Sequence, residues 1–282
     1  MKNYFIFSVM DLSFNQRLKA ICREKNNYLC IGLDLDFDIF SNNSIVDLNT
    51  MEIFGKEIID GTIEFCPIYK PNFAFFERYG SKGYAVLENL VNYINGRSVI
   101  IADAKRGDIG NTSKQYAYSI LESMGCDAIT VSPYMGRDSI EPFINNPLKG
   151  VFVLAVTSNS GAREIQEHGD KTNPLYHKVI QISKELNIND NIGLVIGATQ
   201  IDIMTKIREI SLGMPWLIPG VGSQGGDMGS ALTISHTNGG IGIINVSRGI
   251  LSSGNGEIYS IINAAKKYTK QIRETICKQI ES

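Results

Sequence analysis

The stretch "SVIIADAKRGDIGNTSKQYAYSILESM" (residues 98–124) contains one complete unit of the pattern that decides the predicted fold. Residues 99–102 form an apolar run typical of a buried β-strand, and the part from residue 111 onward is typical of a helix. Asp103 and Lys105 follow the run two residues apart, so in an extended chain they point to the same side. Buried charges are costly unless they pair, and these two have opposite signs.

Eight short apolar runs of this kind occur along the chain, with longer helix-like segments between them. The runs cover residues 28–35, 66–73, 98–105, 127–132, 150–158, 191–199, 215–222 and 239–247. Strands that alternate with helices form parallel βαβ units, because each crossover returns the next strand in the same direction. Eight units predict an α/β fold, a single-domain (β/α)8 TIM barrel over residues 1–282, with a helical N-terminal extension over about residues 1–27.

A doubly wound parallel sheet is the alternative fold for this alternation. That fold carries a GxGxxG turn after its first strand, and the corresponding segment here, "GLDLDFDIF" (residues 32–40), lacks it. The barrel is therefore favoured.

The composition is that of an ordinary globular protein, since 43% of the 282 residues are hydrophobic and 20% are charged. A formal net charge of −2 provides no positive field, so neither nucleic acid nor a membrane surface is expected as a partner. The five cysteines are odd in number and form no CxxC pair, which favours reduced thiols in a cytoplasmic protein. No histidine has a second ligand at metal-site spacing, so no metal site is expected there.

Charged or polar side chains end several of the apolar runs. They are Asp34, Lys70, Asp103, Lys105, Ser158 and Arg248. The C-terminal strand ends of a barrel build its active site, and the alternating signs allow these charges to pair. A single charge at a strand end is more often a solvated loop residue, but the whole set favours a functional site over a structural ion-pair network.

A second cluster predicts an anion site. "PGVGSQGGD" (residues 219–227) follows the seventh run, and "VSRG" (residues 246–249) follows the eighth. Glycines let backbone N–H groups approach an anion closely, and Arg248 offers a bidentate fork. Barrels often bind a phosphate between the loops after strands seven and eight. A flexible glycine-rich turn without a ligand is the alternative.

The segment "DAKRGDIGNT" (residues 103–112) resembles the Asp-x-Lys-x-x-Asp signature of the orotidine 5′-phosphate decarboxylase family. Further agreement lies, in the family's order, in "IGLDLD", "YKPNFAFFE", "TSN", "GAT", "PGVGSQGGD" and "SRGI", spread over residues 31–250. The chain is most similar to the longer variety found in mycobacteria and apicomplexan parasites. Ser160 and Ser223 depart from the proline and alanine usual in that variety, and neither change removes a proposed functional group.

The resemblance implies an enzyme that converts orotidine 5′-phosphate to uridine 5′-phosphate and CO2, with neither metal nor organic cofactor. This reaction is the last step of de novo pyrimidine nucleotide synthesis. By similarity, Lys105 is the proton donor to pyrimidine C6. Asp103 and Asp108 would flank the leaving carboxylate, and Lys70 would complete an alternating chain of charges.

The resemblance also implies a homodimer in which two subunits share each active site. Asp108, Ile109 and Thr112 would cross to the substrate held by the other subunit. The remaining implied substrate-binding residues are Asp34 at a ribose hydroxyl, Asn72, Ser158 at the pyrimidine ring, and Gln224 and Arg248 at the phosphate.

Two other functions stay open on the sequence. A metal-dependent sugar-phosphate decarboxylase or aldolase uses the same scaffold, but it places an acidic metal ligand at the end of the second strand, where this chain has Lys70. The other is a barrel that binds a nucleotide phosphate without catalysis. The presence of all four charged residues of the implied catalytic set argues against it; they are Lys70, Asp103, Lys105 and Asp108.

Overall fold

Eight parallel strands close into a barrel in chain order in this computed structural model, which describes residues 12–37, 47–170, 172–199, 201–222 and 225–280. The strands are β1 (Leu29–Leu33), β2 (Ile68–Pro71), β3 (Val99–Arg106), β4 (Ala128–Val131), β5 (Gly150–Val156), β6 (Ile192–Ile196), β7 (Trp216–Ile218) and β8 (Gly242–Val246). Each strand pairs with the next, and β8 returns to pair with β1. The single-domain (β/α)8 barrel is confirmed, and the doubly wound alternative is wrong because the sheet closes.

Helices cover the outside of the barrel. They are α1 (Phe14–Glu24), α2 (Leu48–Thr62), α3 (Ala74–Glu77), α4 (Gly80–Ile94), α5 (Gly110–Ala117), α6 (Ala162–Gln166), α7 (Leu175–Leu186), α8 (Ile201–Ile210), α9 (Met228–Ser235), α10 (Arg248–Leu251) and α11 (Ile258–Ile280). A π-helical segment, Tyr118–Ser123, prolongs α5. Between β4 and β5 the crossover contains the 3₁₀ turns Arg137–Ser139 and Glu141–Phe143. A short hairpin pairs Gly169–Asp170 with Asn173–Pro174.

Each of the eight apolar runs coincides with one observed strand, and β3 extends one residue past its run, to Arg106. The runs are continuously apolar because strands of a parallel barrel are buried on both faces, and β1 and β6 are buried at every residue. The seventh run extends to residue 222, but β7 ends at Ile218. Pro219 follows immediately, and proline cannot donate to the strand ladder.

Helix α1 closes the N-terminal end of the barrel. Ser13 and Gln16 form a reciprocal capping box at its first turn. Phe14 is fully buried and packs edge-on against Phe152, with ring centroids 6.1 Å apart. A Cβ at Gly150 would lie 2.2 Å from the Phe14 ring, so the start of β5 accommodates this ring only as glycine. The described part of the predicted N-terminal extension is therefore a helix that belongs to the barrel core.

No helix in the described ranges combines the length and the apolar character needed to cross a bilayer.

Replacement of Phe14 by Ala is expected to lower the free energy of unfolding by about 3–5 kcal/mol, the usual cost of deleting a buried phenyl ring. Urea denaturation followed by circular dichroism measures the loss. Tyr259→Ala is the matched control, because the Tyr259 side chain is 77% exposed and its removal is expected to cost less than about 0.5 kcal/mol. Equal effects of the two substitutions would contradict the role of α1 in the core.

Candidate active site

Lys70, Asp103 and Lys105 form one continuous chain of ion pairs at the C-terminal ends of β2 and β3. Lys70 Nζ donates to Asp103 Oδ2 at 2.6 Å, and Lys105 Nζ donates to Asp103 Oδ1 at 2.6 Å. Each oxygen of one carboxylate therefore holds one ammonium group. Such charge-assisted hydrogen bonds are short and strong, so they fix the three side chains relative to one another.

The two lysines differ in burial. The Lys70 side chain is 5% exposed, whereas that of Lys105 is 51% exposed and reaches the open mouth of the barrel. Burial lowers the pKa of Lys70, but the carboxylates of Asp103 and Asp34 outweigh it and hold this pKa above the ordinary lysine value. Burial likewise raises the pKa of Asp103, but Lys70 and Lys105 hold this pKa well below its usual range. Asp103 is therefore a permanent negative charge between two cations.

Asp34 and Asn72 lie beside this chain. Asp34 follows β1, and its Oδ1 is buried with no hydrogen-bond partner among the described residues. Asn72 follows β2 and forms an isolated parallel bridge with Asp103. The structure thus brings five of the predicted site residues to the ends of three neighbouring strands.

Asp108 stands apart from the ion-paired chain. Its Oδ1 accepts from the backbone N–H of Ile109 at 2.7 Å, and its own N–H donates to Ser113 Oγ at 3.1 Å. Ile109 is 58% exposed, and Thr112 is partly buried in the first turn of α5. In the described part of the chain Asp108 makes no ion pair with Lys70 or Lys105. This segment therefore does not complete the charged cluster of the same chain.

The loops after β7 and β8 meet at the hydroxyl group of Tyr268. A Cβ at Gly222 would lie 2.8 Å from Tyr268 Oη, and one at Gly249 would lie 2.7 Å from it. Gly222 also has φ of +78°, a left-handed conformation that favours glycine. Two glycines thus let both loops pack against one tyrosine from α11.

The other predicted residues at this rim have different surroundings. Arg248 is the first residue of α10 and is exposed. Ser158 follows β5 and packs closely on Gly197, where a Cβ would lie 2.8 Å from the Ser158 nitrogen. Gln224 and Ser223 lie outside the described residues. Asp227, which ends the glycine-rich segment, caps α9 by accepting from the backbone N–H groups of residues 229 and 230.

Two polar side chains inside the barrel escape prediction from the sequence. Thr130 in β4 donates its hydroxyl to Asp103 Oδ1 at 3.1 Å. Asn245 in β8 is 9% exposed and accepts a hydrogen bond from Cys30 Sγ at 3.5 Å. Threonine is common in strands, so "DAITVS" gives no signal. An asparagine within the apolar run of β8 is unusual there and is the signal that points to Asn245.

The sequence profile of the family described as orotidine 5′-phosphate decarboxylase / HUMPS matches residues 27–259. The chain belongs to this family. A curated orotidine 5′-phosphate decarboxylase from Dehalococcoides mccartyi is 40% identical over 270 residues, which cover 94% of this chain and 97% of that protein.

Solved structures agree over the same extent. An orotidine-monophosphate decarboxylase structure from Toxoplasma gondii, provisionally assigned, has a TM-score of 0.88 and 32% identity and covers 96% of this chain and 99% of that one. An OMP decarboxylase from Leishmania donovani has a TM-score of 0.83 and 33% identity and covers 94% of this chain and 99% of that one. The resemblance first seen in the sequence motifs is confirmed over nearly the whole fold.

Asp103→Asn is expected to lower the free energy of unfolding at pH 7 by about 3–5 kcal/mol, because it leaves Lys70 buried without its paired carboxylate. This loss depends on pH. Since the pKa of Asp103 is depressed in the folded state, its carboxylate contributes stability above the ordinary aspartate value of about 3.9 and loses that contribution as the pH falls further. The difference between the variant and the wild type therefore narrows below about pH 4.

Urea unfolding curves between about pH 3 and pH 7 test this expectation. Asp202→Asn is the matched control, because Asp202 is exposed in the first turn of α8 and the same change there is expected to cost at most about 0.5 kcal/mol. A difference for Asp103→Asn that stays constant over this pH range would contradict the assignment of Asp103 as a permanently charged group.

Proposed function

We propose that this protein decarboxylates orotidine 5′-phosphate to uridine 5′-phosphate and CO2 without a metal, with Lys105 as the proton donor to pyrimidine C6. Membership of the family makes the protein a carbon–carbon lyase of pyrimidine nucleotide synthesis. The observation that carries the mechanism is the chain of ion pairs through Asp103, which holds a half-exposed ammonium at the barrel mouth.

The proposed reaction needs a cation where negative charge develops. The bond between C6 and the carboxylate carbon breaks, CO2 leaves, and the electron pair stays on C6. An ammonium already fixed at that carbon stabilises the charge as it forms. Lys105 Nζ then transfers its proton to C6 and regains one from water, to which its side chain is open. The chemistry is thus served by an ammonium held against the Asp103 carboxylate and requires no titrating histidine.

Asp103 and Lys70 hold the Lys105 ammonium in place. Lys70 is buried and held by Asp103, so the carboxylate cannot swing away with Lys105. In the proposed complex, Asp103 and Asp108 flank the carboxylate that leaves. Lys70 completes the alternating chain of charges.

The rest of the substrate is proposed to lie along the rim. The buried, unpartnered Oδ1 of Asp34 is an acceptor suited to a ribose hydroxyl, and Asn72 lies on the next strand. Ser158 is assigned to the pyrimidine ring. Arg248 and Gln224 are assigned to the phosphate, at the two loops that barrels of this kind commonly use for phosphate. Contacts to phosphate lie away from C6, and their binding energy can order the reacting groups.

A homodimer with shared sites is part of the proposal. Asp108 is not part of its own chain's charged cluster, and large hydrophobic side chains are exposed on the segment that follows it and in the crossover after β4. They are Ile109, Tyr118, Tyr134 and Met135. An apolar patch of this kind favours burial against a second copy, which would bring Asp108, Ile109 and Thr112 to the other subunit's substrate.

The two rival functions are less well supported. A sugar-phosphate enzyme that uses a divalent cation would need a carboxylate at the end of β2, where the Lys70 ammonium stands. A barrel that only binds nucleotide would not need Asp103 held between two lysines. We also infer a cytoplasmic enzyme, because all five cysteines are free thiols and disulfides are typical of oxidising compartments.

Purified protein is expected to convert orotidine 5′-phosphate at the same rate with and without excess EDTA, since Lys105 supplies the positive charge and the proton. The loss of orotate absorbance measures turnover. Lys105→Ala is expected to abolish turnover while its circular dichroism spectrum and melting temperature stay near those of the wild type. Loss of activity with EDTA, restored by a divalent cation, would favour the sugar-phosphate class of mechanism. Nucleotide binding without turnover would favour the binding-only barrel.

Hybrid dimers test the shared site. Lys105→Ala and Asp108→Asn chains, co-expressed with different affinity tags and purified through both tags, are expected to recover about half of the wild-type activity, because each hybrid has one intact site of two. Lys105→Ala paired with Asp103→Asn is the matched control and is expected to stay inactive, since both residues lie in β3 of one chain. No recovery in verified Lys105/Asp108 hybrids would contradict sharing of Asp108.

A further inference from the structure

Strand β3 is irregular where it carries the charged residues. Ala102 pairs with Ile129 and Arg106 pairs with Val131, and the register shifts between these two pairs. Three residues of β3, at positions 103–105, therefore face a single residue of β4. That residue is Thr130.

Lys105 has an unusual backbone conformation within this bulge. Its φ is +47°, in the left-handed region that is sterically unfavourable for a residue with a Cβ. Strain of this kind persists only where the surrounding structure holds it in place. The conformation allows the lysine to reach back to Asp103, two residues earlier, at 2.6 Å.

The Thr130 hydroxyl forms hydrogen bonds with both the Lys105 backbone and the Asp103 carboxylate. Thr130 Oγ1 accepts from the backbone N–H of Lys105 at 3.0 Å and donates to Asp103 Oδ1 at 3.1 Å. The same Asp103 oxygen accepts from Lys105 Nζ. Thr130 is 2% exposed, so water cannot readily replace its hydroxyl. One buried hydroxyl thus fixes the backbone of the lysine and the carboxylate that orients its ammonium.

We propose that Thr130 is a positioning residue for decarboxylation, acting through the placement of the Lys105 ammonium. The inference rests on the proposed role of Lys105 as proton donor. Thr130 itself contacts the Lys105 backbone and the Asp103 carboxylate, while the residues assigned to ribose and phosphate lie on other strands. Its removal therefore affects the chemical step more than substrate binding.

Thr130→Val and Thr130→Ser separate the hydroxyl from the shape of the side chain. Valine keeps the branched shape without the hydroxyl, and kcat is expected to fall on the order of tenfold to a hundredfold, as for the loss of hydrogen bonds to charged groups. KM is expected to stay within about twofold of the wild-type value. KM alone changes when an interaction of equal strength in the ground state and the transition state is lost, and Thr130 contacts Lys105 and Asp103 instead of the substrate. Serine restores the hydroxyl, and kcat is expected to return to within about threefold of the wild type.

A matched control removes a buried hydroxyl elsewhere. Thr269 in α11 is 4% exposed and donates to the Ala265 carbonyl at 2.9 Å. Thr269→Val is expected to lower the melting temperature and leave kcat unchanged. A structural role for Thr130 would give the same result, with lower stability and unaltered kcat.

Hydrogen exchange gives a readout that does not depend on turnover. The Lys105 amide is expected to exchange faster in Thr130→Val than in the wild type or in Thr130→Ser, because its acceptor is gone. Faster exchange with a reduced kcat and rescue by serine supports the proposal. Wild-type kcat in Thr130→Val, or a loss that serine does not rescue, overturns it. Absence of turnover in the wild type overturns the proposed function instead, and with it any catalytic placement by Thr130.

Discussion

One buried carboxylate determines how the rest of the site is built. Asp103 receives an ammonium on each oxygen, and the side chains of Lys70 and Asp103 are only 5% and 12% exposed. Ion pairs of this kind do not by themselves stabilise a fold, because desolvation offsets much of the attraction. Their value lies in a fixed arrangement of charge. The barrel supplies the rigid frame that such an arrangement needs.

The closed parallel barrel makes this arrangement possible because all its strands end at one rim. Asp34, Lys70 and Asp103 come from three adjacent strands, and no loop is needed to bring them together. The regular strand geometry is interrupted in β3, where the bulge and the left-handed Lys105 turn the side chains of Asp103 and Lys105 toward each other. The regular strands thus place the cluster, and the irregularity in β3 orients Lys105, the proposed proton donor.

The fold was predictable because apolar periodicity marks strands strongly when both faces are buried. The charged cluster was predictable for the opposite reason, since charges at the ends of apolar runs must pair or face a ligand. The bulge was not predictable, because nothing in "DAKRGD" distinguishes a regular strand from one with an irregular register. Thr130 was not predictable either, because threonine is common in strands. The crossover from β4 to β5 contains two 3₁₀ turns in place of a regular α-helix. The roles of the individual side chains stay predictions.

The packing of Tyr268 between two glycines has a consequence for how this sequence can change over time. The tyrosine hydroxyl occupies the space that a side chain at residue 222 or 249 would need, so these three distant positions are not free to vary independently. A larger residue at either glycine becomes tolerable only after the tyrosine has been replaced by something smaller. Even then, the left-handed backbone still favours glycine at residue 222. The neighbouring Thr269 accepts a hydrogen bond from the side chain of Asn27, which lies just before β1. Substitutions in α11 are therefore constrained at the opposite end of the barrel as well. The shape of the rim therefore limits which substitutions are permitted in α11, although this helix contributes no residue to the charged cluster.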